Sequence, residues 1–265
     1  MTNSKGFAVI TGASSGIGAI YADRLAERGH DLILIARRAD KLDEVAERIR
    51  AKSGRTVEVF AADLTDELDV ARVETLLKSD PRITMLVNNA GLGGAGTLLQ
   101  SNVDAMTSMI TLNVTALTRL TYALVPKFVT RGSGTIINIA SVVAITPETL
   151  NGVYGGTKAF VLAFSQNLHK ELENTGIRVQ VVLPGATATD FWEIAGRPVE
   201  LLPQEIVMSS EDLVDSALIG LDRGEFATIP SLQDGSLYSA FETAREAMIG
   251  QLSHATPALR YRVAA

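Results

Sequence analysis

Short apolar runs rich in β-branched residues alternate along this chain with longer segments whose apolar positions recur every three or four residues. The runs fall at 7–11, 31–36, 56–61, 85–88, 135–139, 179–183 and 227–229. Several are apolar with little alternation, which predicts strands covered on both faces. The helical pattern occupies 16–28, 39–52, 67–78, 102–130, 153–174 and 210–222. Gly29, Gly54, Gly132 and Gly176 stand where these helices should stop, as helix-closing glycines do. A β-α-β-α rhythm implies a parallel sheet, and right-handed crossovers wind it in both directions. The expected fold is therefore α/β, a doubly wound parallel sheet of about seven strands with helices on both faces, Rossmann-like and in a single domain.

Two segments break the rhythm. Residues 186–209 form a long connection containing Gly196, Pro198 and Pro203, and long loops in compact domains are usually functional or disordered. Beyond residue 231 a helical extension is expected, because Leu237, Phe241, Ala244, Met248 and Leu252 make an apolar stripe over 236–251. Packing of that stripe on the body is the simpler expectation than a lid.

Composition narrows the function. The 265 residues are 46% apolar and carry 24 basic against 30 acidic side chains, a net charge of −6. That sign opposes a phosphate backbone, so nucleic-acid binding is not expected. The absence of cysteine removes disulfides, thiolate metal sites and cysteine nucleophiles together. His30, His169 and His254 lie far apart without zinc-ligand spacing. Residues 1–5 lead into an apolar stretch, 7–10, too short for a secretion signal. No apolar run approaches the ~20 residues of a membrane span. A cytoplasmic protein without membrane contact is the expectation.

The segment Thr11-Gly12-Ala13-Ser14-Ser15-Gly16-Ile17-Gly18 follows the first strand and opens the first helix. Glycines let a backbone approach a pyrophosphate, and the helix N-terminus offers unpaired N–H groups and partial positive charge. The spacing is GxxxGxG rather than GxGxxG; a glycine-rich turn without a ligand is the plain alternative, which the strand-turn-helix setting disfavours. Dinucleotide sites often place an acid about 20 residues on, for the ribose 2′-hydroxyl. Here Arg37 and Arg38 occupy that place, with no acid before Asp40. Guanidinium groups suit a 2′-phosphate, so NADP(H) is expected over NAD(H), although the pair reads equally as the solvated start of a helix.

These residues, together with Asn88-Asn89-Ala90-Gly91, Asn113, Ser141, Tyr154-xxx-Lys158 and Pro184-Gly185 followed by Thr187 and Thr189, resemble the short-chain dehydrogenase/reductase family in its short single-domain branch. The resemblance runs in order through roughly residues 5–230. It implies a catalytic set of Asn113, Ser141, Tyr154 and Lys158. It implies cofactor contacts from Gly12, Ser14–Gly18, Asp63 and Leu64, Asn89, Ala90 and Gly91, Pro184, Gly185, Thr187 and Thr189, with Tyr154 and Lys158 on the nicotinamide side. Asn113 would support a water relay from Lys158.

The chemistry of the set is readable beside the resemblance. Tyr154 and Lys158 are four residues apart, on one helix face and ~6 Å apart along its axis. A free tyrosine titrates near 10, too high for efficient proton exchange, and a neighbouring ammonium is expected to lower that value. Ser141 ends a strand run, where doubly wound sheets place ligands, and its hydroxyl can hold a carbonyl or alkoxide oxygen. Asn113 lies mid-helix, where an asparagine is usually exposed.

Candidate substrate walls are 93–98, 142–150 and 186–209. Phe191, Trp192, Ile194, Leu201 and Leu202 make the last of these apolar, as a lid or as core packing. No Arg or Lys lies between Gly185 and Gly196, which predicts a neutral, fairly hydrophobic ketone, aldehyde or secondary alcohol. A nucleotide-sugar epimerase or dehydratase is the first rival, disfavoured because only about 35 residues follow the last strand. A non-catalytic cofactor sensor or scaffold is the second, disfavoured by the complete catalytic set. The resemblance implies pairing through the two long helices, 102–130 and 153–174, into a homodimer or homotetramer.

Overall fold

The computed structural model describes residues 4–262 apart from Ala95 and Arg197, and excludes the side chain of Ile194. Expectations for the first three residues, for Ala95 within the 93–98 wall and for Ile194 in the long loop lie outside the described residues. The chain forms two compact units, one reaching Ser231 and the other beginning at Leu232.

The first unit is one parallel sheet of β1 (Phe7–Thr11), β2 (Asp31–Ala36), β3 (Val57–Ala61), β4 (Ile83–Asn88), β5 (Gly134–Ile139), β6 (Ile177–Val182) and β7 (Ala227–Thr228). Its strand order is β3-β2-β1-β4-β5-β6-β7, the doubly wound topology whose direction reverses between β1 and β4. Both faces are apolar because successive side chains point to opposite sides. Ala8, Ile10, Leu32 and Leu34 pack with α1 (Gly16–Glu27), α2 (Ala39–Ser53) and α8 (Ser210–Asp222). Phe7, Val9, Ile33 and Ile35 pack with α3 (Glu67–Ser79), α5 (Leu117–Arg131) and α6 (Gly152–Glu171). Continuous apolar strands are what this two-sided burial requires.

The segment expected as one helix over 102–130 is interrupted. α4 (Val103–Ile110) runs into a π-helical stretch, Thr111–Ala116, before α5 begins. π-bulges concentrate at functional sites, and this one holds Asn113. Gly54 and Gly132 close α2 and α5 in the left-handed conformation, as expected. Gly176 does not close α6, which ends at Glu171. It has φ +76°, and a Cβ there would lie 2.2 Å from the Gly132 carbonyl oxygen. The glycine serves the close approach of two turns at the entry to β5 and β6.

In the second unit α9 (Ser236–Ala247) forms, shorter than expected, and none of its residues is buried. Leu237, Phe241, Met248 and Leu252 are exposed. Among the described residues no helix is long and apolar enough to cross a membrane.

Candidate active site

The site is built on the C-terminal ends of β1, β4, β5 and β6, around the point where the strand order reverses. β1 ends at Thr11, whose hydroxyl donates to the Val87 carbonyl (3.3 Å) and accepts from the N–H groups of Asn89 and Ala90 (both 3.0 Å). The Asn89 amide donates to the Thr11 and Gly12 carbonyls, at 2.9 and 3.2 Å. Asn89 thus clamps the glycine loop with its own side chain. A Cβ on Gly18 would sit 2.3 Å from the Gly12 oxygen, and one on Gly12 would sit 2.9 Å from Ala90 Cα. These contacts explain two of the three glycines without invoking a ligand. Gly18→Ala is expected to lower Tm by about 3–10 °C in calorimetry, since overpacking costs about 1–3 kcal/mol; an unchanged Tm would show that the loop gives way freely.

The third glycine, Gly16, opens α1, and its Cβ position is 3.1 Å from the Thr189 methyl. Ser15 stands at the N-cap without a side-chain bond, and the first turn carries no acid. The first-turn N–H groups of Gly16, Ile17 and Gly18 lack intrahelical partners, as at every helix start, and the dipole there favours an anion. A groove of about 380 Å³ runs from Ser14, Ser15 and Gly16 to Lys41 and Arg48.

Ala13 N–H donates to the Ile35 carbonyl (3.2 Å), which sets the glycine loop beside the end of β2. Arg37 and Arg38 follow there, both exposed. On the next strand Ala62 N–H donates to Ala36 (3.0 Å) and leads to Asp63 and buried Leu64. One Asp63 oxygen accepts from both the N–H and the hydroxyl of Thr65 (2.9 and 2.7 Å). The four residues Arg37, Arg38, Asp63 and Leu64 therefore lie on the β2 and β3 side of the reversal point, away from the catalytic candidates on the β5 side.

On that other side, α6 presents Tyr154 and Lys158, each only 6% exposed. The Lys158 ammonium donates to the Ile139 carbonyl at the end of β5 (2.8 Å) and lies 5.8 Å from the centre of the Tyr154 ring. Ser141 caps a short turn, accepting from Val143 N–H and donating to the Pro184 carbonyl, both at 3.3 Å. Asn113 is 2% exposed, against the expectation of a solvent-facing asparagine. Its oxygen accepts from Leu92 N–H (2.8 Å), and its nitrogen donates to the Leu92 carbonyl (2.9 Å) and the Thr157 hydroxyl (3.1 Å). A Cβ on Gly91 would lie 3.3 Å from the Asn113 oxygen and 3.6 Å from the Lys158 nitrogen. The fold thus brings Gly91, Asn113, Ser141, Tyr154 and Lys158 together.

The electrostatics correct one expectation. Burial pushes the Tyr154 phenol up to about 12, and a hydrogen bond with Ser141 pulls back only part of that. Burial likewise disfavours the Lys158 ammonium and brings it down to about 8. Desolvation is the dominant influence on both groups. Between about pH 8 and the ordinary lysine value near 10.4, the unfolded chain holds the Lys158 proton and the folded chain does not. Stability then rises with pH across that window. The expected result is a wild-type minus Lys158→Met difference in unfolding free energy that climbs from pH 8 to 10 in urea titrations; a flat difference would refute the depressed value.

β6 delivers the remaining candidates. The Pro184 carbonyl accepts from Val142 N–H (2.9 Å). Buried Thr187 donates to the Gly185 carbonyl (3.1 Å) and bridges to Met208. Part of the long loop packs into the core. Trp192 and Leu202 are buried, with the Trp192 indole N–H donating to the Thr187 carbonyl (2.9 Å). Phe191, in the short helix α7 (Phe191–Ile194), lies 5.5 Å from the Tyr154 ring, and its Cζ is 2.0 Å from where a Gly93 Cβ would stand. Leu201 is exposed. Around Tyr154 the wall is apolar, from Met109, Val143, Leu92, Met106, Leu150 and Phe191. Two side chains of the site were not among the expected contacts: Thr11, whose only signal is that it opens the glycine-loop motif, and Asn151, an asparagine before a helix.

The profile of the family described as short chain dehydrogenase matches residues 6–197. A short-chain dehydrogenase from Sphingobium yanoikuyae, solved in complex with NADPH, is 49% identical and superposes with a TM-score of 0.94 over 97% of this chain and 100% of its own. The bulky-bulky ketone specific alcohol dehydrogenase from Comamonas testosteroni is 44% identical, with a TM-score of 0.90 over 98% of this chain and 99% of its own. An uncharacterized oxidoreductase of Staphylococcus epidermidis is 34% identical over 187 residues, 70% of this chain and 80% of its own. Likeness that spans glycine loop, strand ends and the tyrosine helix alike makes this chain a member of the short-chain dehydrogenase/reductase family of oxidoreductases.

Proposed function

We propose that the protein is an NADP(H)-dependent oxidoreductase that interconverts neutral, fairly hydrophobic ketones or aldehydes and the corresponding secondary alcohols. The observation that carries this reading is the convergence of the Tyr154 phenol, the Ser141 hydroxyl and the Lys158 ammonium inside an apolar wall. The glycine loop fits a nicotinamide dinucleotide: it lies close against Asn89 and Ala90 and leaves the start of α1 uncapped by any side chain. The NADPH complex of the Sphingobium relative and the exposed Arg37 and Arg38 support the phosphorylated form. When bound, the nicotinamide supplies or accepts the hydride.

The protein's part is position and proton management. Ser141 holds the substrate oxygen and shares a hydrogen bond with Tyr154. Tyr154, neutral in this chain, gives its proton as that oxygen gains charge. Lys158 has one N–H on Ile139 and further donors for a ribose hydroxyl. Its charge favours the phenolate left behind. Asn113 has both ends of its carboxamide engaged with Leu92 and Thr157, so its side chain fixes those residues and supports a water relay from Lys158 by position.

The substrate class follows from the wall and from the loop's lack of Arg or Lys between Gly185 and Gly196. The Comamonas relative, described as specific for bulky-bulky ketones, supports it. The test is NADPH oxidation in the presence of aryl ketones and of keto acids. Faster turnover of the ketones is expected; preference for keto acids would overturn the substrate class, and NADPH binding without oxidation by any carbonyl would favour a sensor or scaffold. Exposed Tyr122, Val129 and Phe160 on α5 and α6 support a homodimer or homotetramer.

A further inference from the structure

Asn151 stands three residues before Tyr154 and is only 5% exposed. Its two ends face different parts of the site. The oxygen accepts from the N–H groups of Val153 (2.9 Å) and Tyr154 (3.4 Å), capping α6 at the turn that carries the phenol. The nitrogen donates to the Gly96 carbonyl (2.7 Å) and the Ser101 hydroxyl (2.9 Å). Ser101 in turn donates to the Thr97 carbonyl (2.7 Å). A helix cap needs only the oxygen, and a buried amide nitrogen needs acceptors. Here those acceptors come from the connection after β4, Gly96 within the candidate 93–98 wall and Ser101 just beyond it. The short turn of that connection, Leu98–Gln100, has no buried residue and is closed by bonds from the Thr97 N–H and hydroxyl to the Gln100 side chain.

We propose that Asn151 is a positioning residue that couples the Tyr154 helix to residues 96–101, which overlap the 93–98 wall, so that one amide sets that segment's place relative to the phenol. The inference rests on the reading of Tyr154 as proton donor to a carbonyl substrate. A rigid cap on one side and a donor pair on the other give a link with little freedom, and small displacements between reacting groups cost rate.

The two ends can be separated chemically. Asn151→Asp keeps an acceptor for the α6 N–H groups, which the helix start favours, but its carboxylate cannot donate to Gly96 or Ser101. Asn151→Ala loses both. Ser101→Ala removes one acceptor and leaves Asn151 intact. Each variant is compared with wild type by backbone hydrogen exchange over 96–101 and over 152–158, and by ketone kinetics with NADPH.

In Asn151→Asp, exchange over 96–101 is expected to rise about 3- to 10-fold, the range one or two lost hydrogen bonds command, while 152–158 stays at wild-type rates. The ketone KM should rise by a similar factor with kcat less affected, and the kinetic pH profile should keep its shape. Asn151→Ala should raise exchange in both segments and lower kcat as well, and Ser101→Ala should repeat the loop effect at smaller size. Wild-type exchange over 96–101 in both Asn151→Asp and Ser101→Ala would overturn the proposal, as would an equal rise in both segments of Asn151→Asp. If Asn151→Asp does not fold, Ser101→Ala carries the same comparison. A wild-type protein that reduces no ketone defeats the functional reading, while the exchange pattern still decides the coupling.

Discussion

Replacing Tyr154 by phenylalanine is expected to lower ketone turnover by about 10²- to 10⁴-fold, the range that a positioned proton donor supplies. The change is nearly isosteric. The ring keeps its place beside Phe191, 5.5 Å away, and within the apolar wall of Met109 and Val143. What disappears is the hydroxyl that shares a hydrogen bond with Ser141. NADPH affinity should stay within about threefold, because the glycine loop and its clamp at Asn89 lie on other elements and distant sites act independently. Initial-rate kinetics and a fluorescence titration with NADPH measure the two quantities on the same preparation. Near-normal turnover in this variant would remove Tyr154 from the chemistry.

Arg37→Ala is expected to weaken NADPH by about 10- to 100-fold while NADH changes by less than about threefold. A guanidinium can form two charge-assisted bonds to a phosphate. Bonds to charged groups are worth about 1.5–3 kcal/mol, and each 1.4 kcal/mol is tenfold in affinity. Arg37 is exposed at the end of β2, so the difference should shrink as salt rises. Arg38 stands at the N-cap of α2, and Arg38→Ala should show the same selectivity to a smaller degree. Equal losses for NADPH and NADH in Arg37→Ala would refute the selector role and leave the fold assignment intact. Parallel fluorescence titrations with both dinucleotides, at low and at high salt, separate these outcomes.

Much of the architecture was legible before any coordinates. Continuous apolar runs marked the strands because both faces of this sheet are covered, as Ala8 and Ile10 on one side and Phe7 and Val9 on the other illustrate. Gly54 and Gly132 marked helix ends because each closes its helix with a left-handed residue. Ser141, Tyr154 and Lys158 were legible through the family resemblance, to which the i, i+4 spacing adds that Tyr154 and Lys158 share a helix face.

Long-range contacts were not legible in this way. Asn113, in the π-helical stretch, bonds Leu92 and Thr157, 21 and 44 residues away, and a period count over 102–130 reads through that stretch as one helix. Gly176 looked like a helix stop, yet its place is set by the Gly132 carbonyl of a different turn. The Tyr154 value was expected to fall because an i+4 lysine is visible in the chain; it rises because burial, which no spacing records, desolvates both groups. Asn151 is an ordinary helix-capping asparagine until Gly96 and Ser101 come within reach of its nitrogen. Periodicity and short motifs carry what neighbours along the chain impose on one another, whereas burial and contacts across the chain exist only once the sheet has brought its strand ends together.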